Sequence, residues 1–142
     1  MAAVNVRRVW LGTLAGGVVW SVWSTIINGV ILEPRYAFAQ RAGQMLAHPR
    51  YPLFIAYWIL TLFVATYILT WAYVGVRNTF GPGPKTALRV GFLLGFLAGF
   101  PLSLSSSAWA PFSRFIPLGW TCDLWIGAML ATLVSAWIYK EA

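Results

Sequence analysis

Four long apolar runs leave this chain few ways to fold: Val9 to Leu32, Pro52 to Val76, Ala87 to Ala108, and Leu118 to Tyr139. Each is close to the roughly 20 residues that carry an α-helix across a bilayer. Lipid cannot hydrogen-bond the backbone, so such runs become helices that satisfy their own N–H and C=O groups. With 60% hydrophobic and 9% charged residues, almost nothing is left over for a soluble domain. The sequence predicts an all-α polytopic membrane protein, residues 1–142 forming one domain of four transmembrane helices in an up-down bundle.

Charge supports a membrane assignment and sets a topology. Arg7 and Arg8 precede the first apolar run, and Ala37-Phe38-Ala39 imitates a small-residue cleavage site. The run is longer than the 7–15 apolar residues of a signal peptide, so a retained helix is expected. The formal charge of +7 is spread over loops and termini, which fits lipid headgroups and orientation and not nucleic acid. Arg7, Arg8, Arg77, Lys85, Arg89 and Lys140 fall on one side, against Arg35, Arg41, Arg50 and Arg114 on the other. The excess places both termini in the cytoplasm, as expected of a bacterial inner-membrane protein.

Between the first two spans, Glu33 to Tyr51 should contain a short helix, because Pro34 suits a first turn and YAFAQRAGQMLA is rich in helix formers. It reads either as an interfacial segment or as an extension of the first helix. GPGPK at Gly81 to Lys85 forbids a continuous helix, making the second and third spans antiparallel neighbours. PFSRFIP, Pro111 to Pro117, breaks the chain again. Around GPGPKTALRVG and PFSRFIPLGW the chain resembles small, uncharacterised bacterial four-helix membrane proteins. That resemblance would cover most of the chain, implies the same fold, and carries neither a catalytic motif nor a function.

Small residues recur every fourth position. Gly91, Gly95, Gly99, Ser103 and Ser107 do so in the third span; Thr13, Gly17, Ser21, Thr25 and Gly29 in the first; Gly119, Asp123, Gly127, Ala131 and Ser135 in the fourth. A step of four advances about 40° around a helix, so each stripe winds slowly. Such stripes are expected to let helix backbones approach closely. The second span is bulkier, with Tyr57, Trp58, Phe63, Tyr67, Trp71 and Tyr73, and should be the most exposed to lipid or a partner. Pro101 should kink the third span, with the serines after it repairing the break.

One polar layer stands out. Asn28, Ser103, Ser106, Ser107 and Asp123 lie at similar depth below the helix ends remote from the termini, and Arg114 is the first-choice cation for Asp123. An acid in a span costs about 2.5–3.5 kcal/mol near the middle, so Asp123 must be paired, protonated or close to an interface. A structural anchor is the favoured reading over a proton or ion site. His48 is the single histidine and Cys122 the single cysteine, so neither a multi-histidine metal site nor a disulfide framework can be assembled. No catalytic residue, metal or cofactor is expected. The expected role is non-enzymatic: an accessory or assembly and stability subunit, contacting lipid and either other membrane subunits or a second copy. The alternative is a small transporter or channel using the polar layer, and a lipid-acting enzyme comes third.

Overall fold

The computed structural model describes residues 4–140. Its elements are α1 (Val6–Ile26), a π-helical turn (Ile27–Ile31), α2 (Glu33–Arg41), α3 (Phe54–Phe80), α4 (Pro84–Trp109) and α5 (Phe115–Ile138). Four helical stretches are long and apolar enough to span a membrane: Val6–Ile31, Phe54–Phe80, Pro84–Trp109 and Phe115–Ile138. The short helix expected after the first span is α2, with its proline in the first turn. The spans pass up and down, which brings both described chain ends to one end of the bundle. There the backbone N–H of Asn5 donates to the Tyr139 hydroxyl at 3.3 Å.

Local chemistry explains the boundaries. Asn5 caps α1, its side-chain oxygen accepting the Arg8 N–H. The α3–α4 turn needs residues without Cβ, because Gly81 and Gly83 hold φ of 83° and 125°. Thr86 closes the turn by donating to Gly81 O at 2.7 Å, and Pro84 opens α4 where no N–H is missed. At the far end α4 runs unbroken through Pro101 to Trp109.

α5 is the centre of the bundle, packing against α1, α3 and α4, while among the described residues α1 and α4 do not meet. Two different faces of α5 make this possible. Toward α4, a methyl built on Gly91 would sit 2.7 Å from Met129 Cα, one on Gly95 2.8 Å from Ala128 Cβ, and one on Gly99 3.1 Å from Leu124 Cβ. Toward α1, a methyl on Gly12 would lie 3.1 Å from Ser135 O, and one on Gly16 2.7 Å from Ala131 O. Gly127 leaves the space filled by the Trp20 indole, and Leu32 fills that over Gly119.

The fourth-span stripe therefore faces α1, whereas the first-span stripe holds only in part: Thr13 and Gly17 are buried, but the rest of it turns away from α5. α1 turns Gly12, Gly16, Trp20 and Ser24 inward, one residue out of step with the expected Thr13, Gly17, Ser21, Thr25 and Gly29. Gly17 meets the Phe63 ring of α3 instead, Ser21 bonds its own helix at Gly17 O, and Thr25 and Gly29 are exposed. The large Trp20 is accommodated because its partner position is a glycine. α3 exposes Ile55 and Leu60, 72% and 62% accessible, but it is not the most exposed span, as its bulky sequence suggests: α4 and α5 are as open to the outside and the first span more so. Of its bulky residues, Tyr73 is buried, and Trp58, Phe63 and Tyr67 are half-buried between helices.

Candidate functional site

A step-four line along α1 drifts by about 40° per step and would leave its partner helix within three steps. The π-helical turn counters this drift, since its wider ring takes more residues per turn. Leu32 N–H bonds back five residues to Ile27 O at 2.9 Å. As a result Trp20, Ser24, Asn28 and Leu32 all meet α5, and Leu32 is buried while Ile31 is exposed.

Facing this line on α5 is Asp123, 1% exposed. Its Oδ2 accepts from Ser24 Oγ at 2.7 Å and from Asn28 Nδ2 at 2.7 Å. Asn28 also donates to the Ser24 carbonyl at 3.0 Å. Four tryptophans surround the group. Trp58 of α3 donates to Ser24 Oγ at 2.9 Å, Trp120 donates to the Tyr36 hydroxyl at 2.7 Å, and Trp20 and Trp23 donate to the backbone oxygens of Asp123 and Cys122, both at 3.2 Å. Tyr36, on α2, passes its own proton to Asn28 Oδ1 at 2.7 Å.

The indoles fix the direction of every bond, because an indole N–H can only donate. Trp120 makes the Tyr36 oxygen an acceptor, so the Tyr36 proton goes to Asn28 Oδ1, and the Asn28 amide is left to donate to Asp123. By the same logic Trp58 sends the Ser24 proton to Asp123. Both chains end on one carboxyl oxygen. Asp123 Oδ1 is buried and has no hydrogen-bond partner.

The site corrects part of the sequence reading. Asn28 and Asp123 come together as expected, but Arg114 forms no ion pair with Asp123, and the side chains of Ser103, Ser106 and Ser107 make no hydrogen bond to it. The reason lies in the faces of α5. Thr121, Leu124, Trp125 and Ala128 face α4, whereas Asp123 and Gly127 face α1, so the serines approach the wrong side of the helix. Arg114 lies exposed at the start of α5, nine residues before the acid.

Ser24, which the sequence puts on one helix face with Ser21, Thr25 and Asn28, completes the layer together with Trp20, Trp23, Trp58, Trp120 and Tyr36, which the polar spacing does not point to. Their signal was the spacing Trp20-Ser24-Asn28 opposite Asp123-Gly127, where a glycine beside an acid leaves room for an indole.

Burial pushes the Tyr36 hydroxyl above its ordinary range, against the opposing effect of the Trp120 bond. It therefore holds its proton for Asn28. Neither of two surface cavities, about 530 and 420 Å³, is lined by Asp123. The first lies by the chain ends, between Tyr73, Arg77, Gly83 and Tyr139, and the second beside Arg35, Phe38 and Ser113. Among the described residues no three His, Cys, Asp or Glu side chains gather as metal ligands would. Chemically, the layer can hold α1, α2, α3 and α5 together through one acceptor; it offers no second acid or base beside the first.

No protein-family model, curated protein or solved structure matches this chain.

Proposed function

We propose that this chain is a non-enzymatic component of a bacterial cytoplasmic membrane, an accessory or assembly and stability subunit of a larger membrane complex, with both termini in the cytoplasm. The observation that carries this reading is the enclosure of Asp123. Its donors are all side chains of the same bundle, and tryptophans wall it off, which suits a clasp between helices better than a passage for solute. The glycine faces that bring α5 against α1 and α4 support the same reading, since close packing of small residues stands in for the hydrophobic drive that lipid withholds. Apolar outer faces are open to a partner on α3, from Ile55 through Leu60 and Val64 to Ile68, as they are on α4 at Leu93, Leu97 and Leu102. The partners in this reading are lipid and other membrane subunits, or a second copy, and not nucleic acid.

A small transporter or channel is the second reading, favoured by one specific feature: Asp123 Oδ1 lies unpartnered beside a π-helical turn. Both elements recur where membrane helices handle ions or protons.

Extraction in a mild detergent, followed by mass and identity of the co-purifying chains, tests the first reading. A defined complex that dissociates when bulky polar residues replace Leu60 and Val64 supports it. A chain that purifies alone, carries a proton or cation flux in liposomes, and loses the flux in Asp123→Asn would establish the second reading in its place.

A further inference from the structure

At the end of the bundle remote from the described chain ends, the cavity of about 420 Å³ opens between α2 and the connection from α4 to α5, lined by Pro34, Arg35, Phe38, Ala39 and Ser113. The chain sets its depth: one span ends at Ile31 and another begins at Phe115, so the residues just beyond them lie at the level of the lipid headgroups. Arg35 is the charged group of the wall. Its guanidinium lies over the Phe115 ring at 4.6 Å, and Nη1 donates to the Ile31 carbonyl at 3.4 Å. These contacts hold the cation in place and occupy one of its five N–H donors. Among the described residues no carboxylate forms an ion pair with Arg35; Glu33, exposed at the start of α2, does not line the cavity. Ser113 faces Arg35 from the other wall. Its Oγ accepts the Phe115 N–H at 3.4 Å and its carbonyl the Ile116 N–H at 3.0 Å, which fixes it at the start of α5 and leaves the hydroxyl proton to donate. Arg41, Arg50 and Arg114 belong to the same end of the bundle, so its field is positive despite Glu33.

We infer that this cavity binds the phosphate of an anionic phospholipid, with the Arg35 guanidinium and the Ser113 hydroxyl as the donors. A guanidinium fork and a hydroxyl proton match phosphate oxygens, and basic pockets at the ends of spanning helices are suited to lipid headgroups. Phe38, 63% exposed, supplies the apolar wall against which the glycerol and the first acyl carbons would lie. Such a site requires the bundle to lie in a membrane and is independent of any larger complex: a chain that purifies alone would still bind the lipid.

The test uses the full chain, delipidated in detergent and titrated with phosphatidylglycerol, with phosphatidylcholine of the same acyl chains, and with inorganic phosphate, the first adduct being followed by native mass spectrometry. Phosphatidylglycerol should bind about tenfold more tightly than phosphatidylcholine, and Arg35→Gln should lose about tenfold of that affinity, as expected for a hydrogen bond from a charged donor. Ser113→Ala should lose a smaller part, about threefold. Arg89→Gln makes the same change of charge at the opposite end of the bundle, where the guanidinium lies 5.7 Å from the Phe80 ring, and should bind as the wild type does. Displacement of the lipid by inorganic phosphate, also lost in Arg35→Gln, would show that the site takes the phosphate group from either source; lipid binding that phosphate leaves untouched, with the same dependence on Arg35, would make the phospholipid its ligand. If Arg35→Gln does not fold, Ser113→Ala against Arg89→Gln decides. Phosphatidylglycerol binding that is equal in wild type, Arg35→Gln and Ser113→Ala overturns the inference. So does an equal loss in Arg89→Gln, because the attraction would then be diffuse and not that of a site.

Discussion

The amide of Asn28 donates to the carboxyl of Asp123 at 2.7 Å across 95 residues of sequence, and the Tyr36 hydroxyl holds that amide in its donating orientation. Four elements thus share one oxygen. Substitutions at this oxygen should affect the whole bundle, whereas those at its suppliers should affect it in part.

Asp123→Asn keeps an acceptor for Ser24 and Asn28, whereas Asp123→Leu leaves both donors buried with none. A buried polar group without a partner costs about 1–3 kcal/mol. Leu at 123 should lower stability in detergent by about 2–4 kcal/mol, and Asn by less than half as much. Melting curves of the three proteins check this. Coincident curves would show that the layer does not hold the helices.

Glycines should rank by what lies beside them. A side chain on Gly91 or Gly95 meets α5 backbone within 3 Å, one on Gly99 meets it at 3.4 Å, and Gly75 on α3 has nothing within 4 Å. Overpacking of this kind costs about 1–3 kcal/mol or more. Leucine at Gly91 or Gly95 should therefore destabilise most, at Gly99 less, and at Gly75 hardly at all. Thermal inactivation in detergent reads the order, and an equal loss at Gly75 would contradict it.

Tyr36 gives a pH dependence of known sign. Its proton is held more tightly in the folded protein than in the unfolded chain, because burial disfavours the phenolate. The associated stability is fully present below about pH 10, the ordinary tyrosine value, and is lost as pH rises through the higher folded value. Tyr36→Phe should remove that part of the alkaline decline and cost about 1 kcal/mol at neutral pH through the lost bonds. The difference between the two stability profiles from pH 8 to pH 11 measures it; parallel profiles would rule out a buried, proton-holding Tyr36.

Orientation follows from side-specific labelling. In a Cys122→Ala background, a cysteine at position 44 should react with an impermeant reagent from outside the cell, and one at position 83 should not. The opposite pattern would put Arg77 and the chain ends outside and reverse the proposed topology.

The four spans were legible because an apolar run of about 20 residues has one outcome in lipid. Their ends were less so. α3 continues to Phe80 and α4 begins at Pro84, beyond the apolar windows, because the Gly81–Gly83 turn and not hydropathy stops them. That Asp123 and Asn28 share a depth could be counted along the sequence. Which face of α5 the acid occupies could not, since the glycines on both sides recur at the same spacing. This is why the sequence favours Arg114, with the α4 serines in the same layer, although neither reaches the face that Asp123 occupies. The π-helical turn has no simple residue signature, and without it the continuation of the α1 line to Leu32 and the return of Tyr36 are not apparent.

The central place of α5 also fixes an order of events during synthesis. α1, α3 and α4 emerge before the helix that joins them, and among the described residues α1 and α4 have no contact of their own. Until α5 arrives, Ser24 and Asn28 have no carboxyl to donate to, and the faces around Gly91 and Gly95 have no backbone to meet. The bundle is thus closed by its last span, and a nascent chain halted before Phe115 would have α3 to pack against α1 and α4 but would leave the α5-facing surfaces of α1 and α4 open.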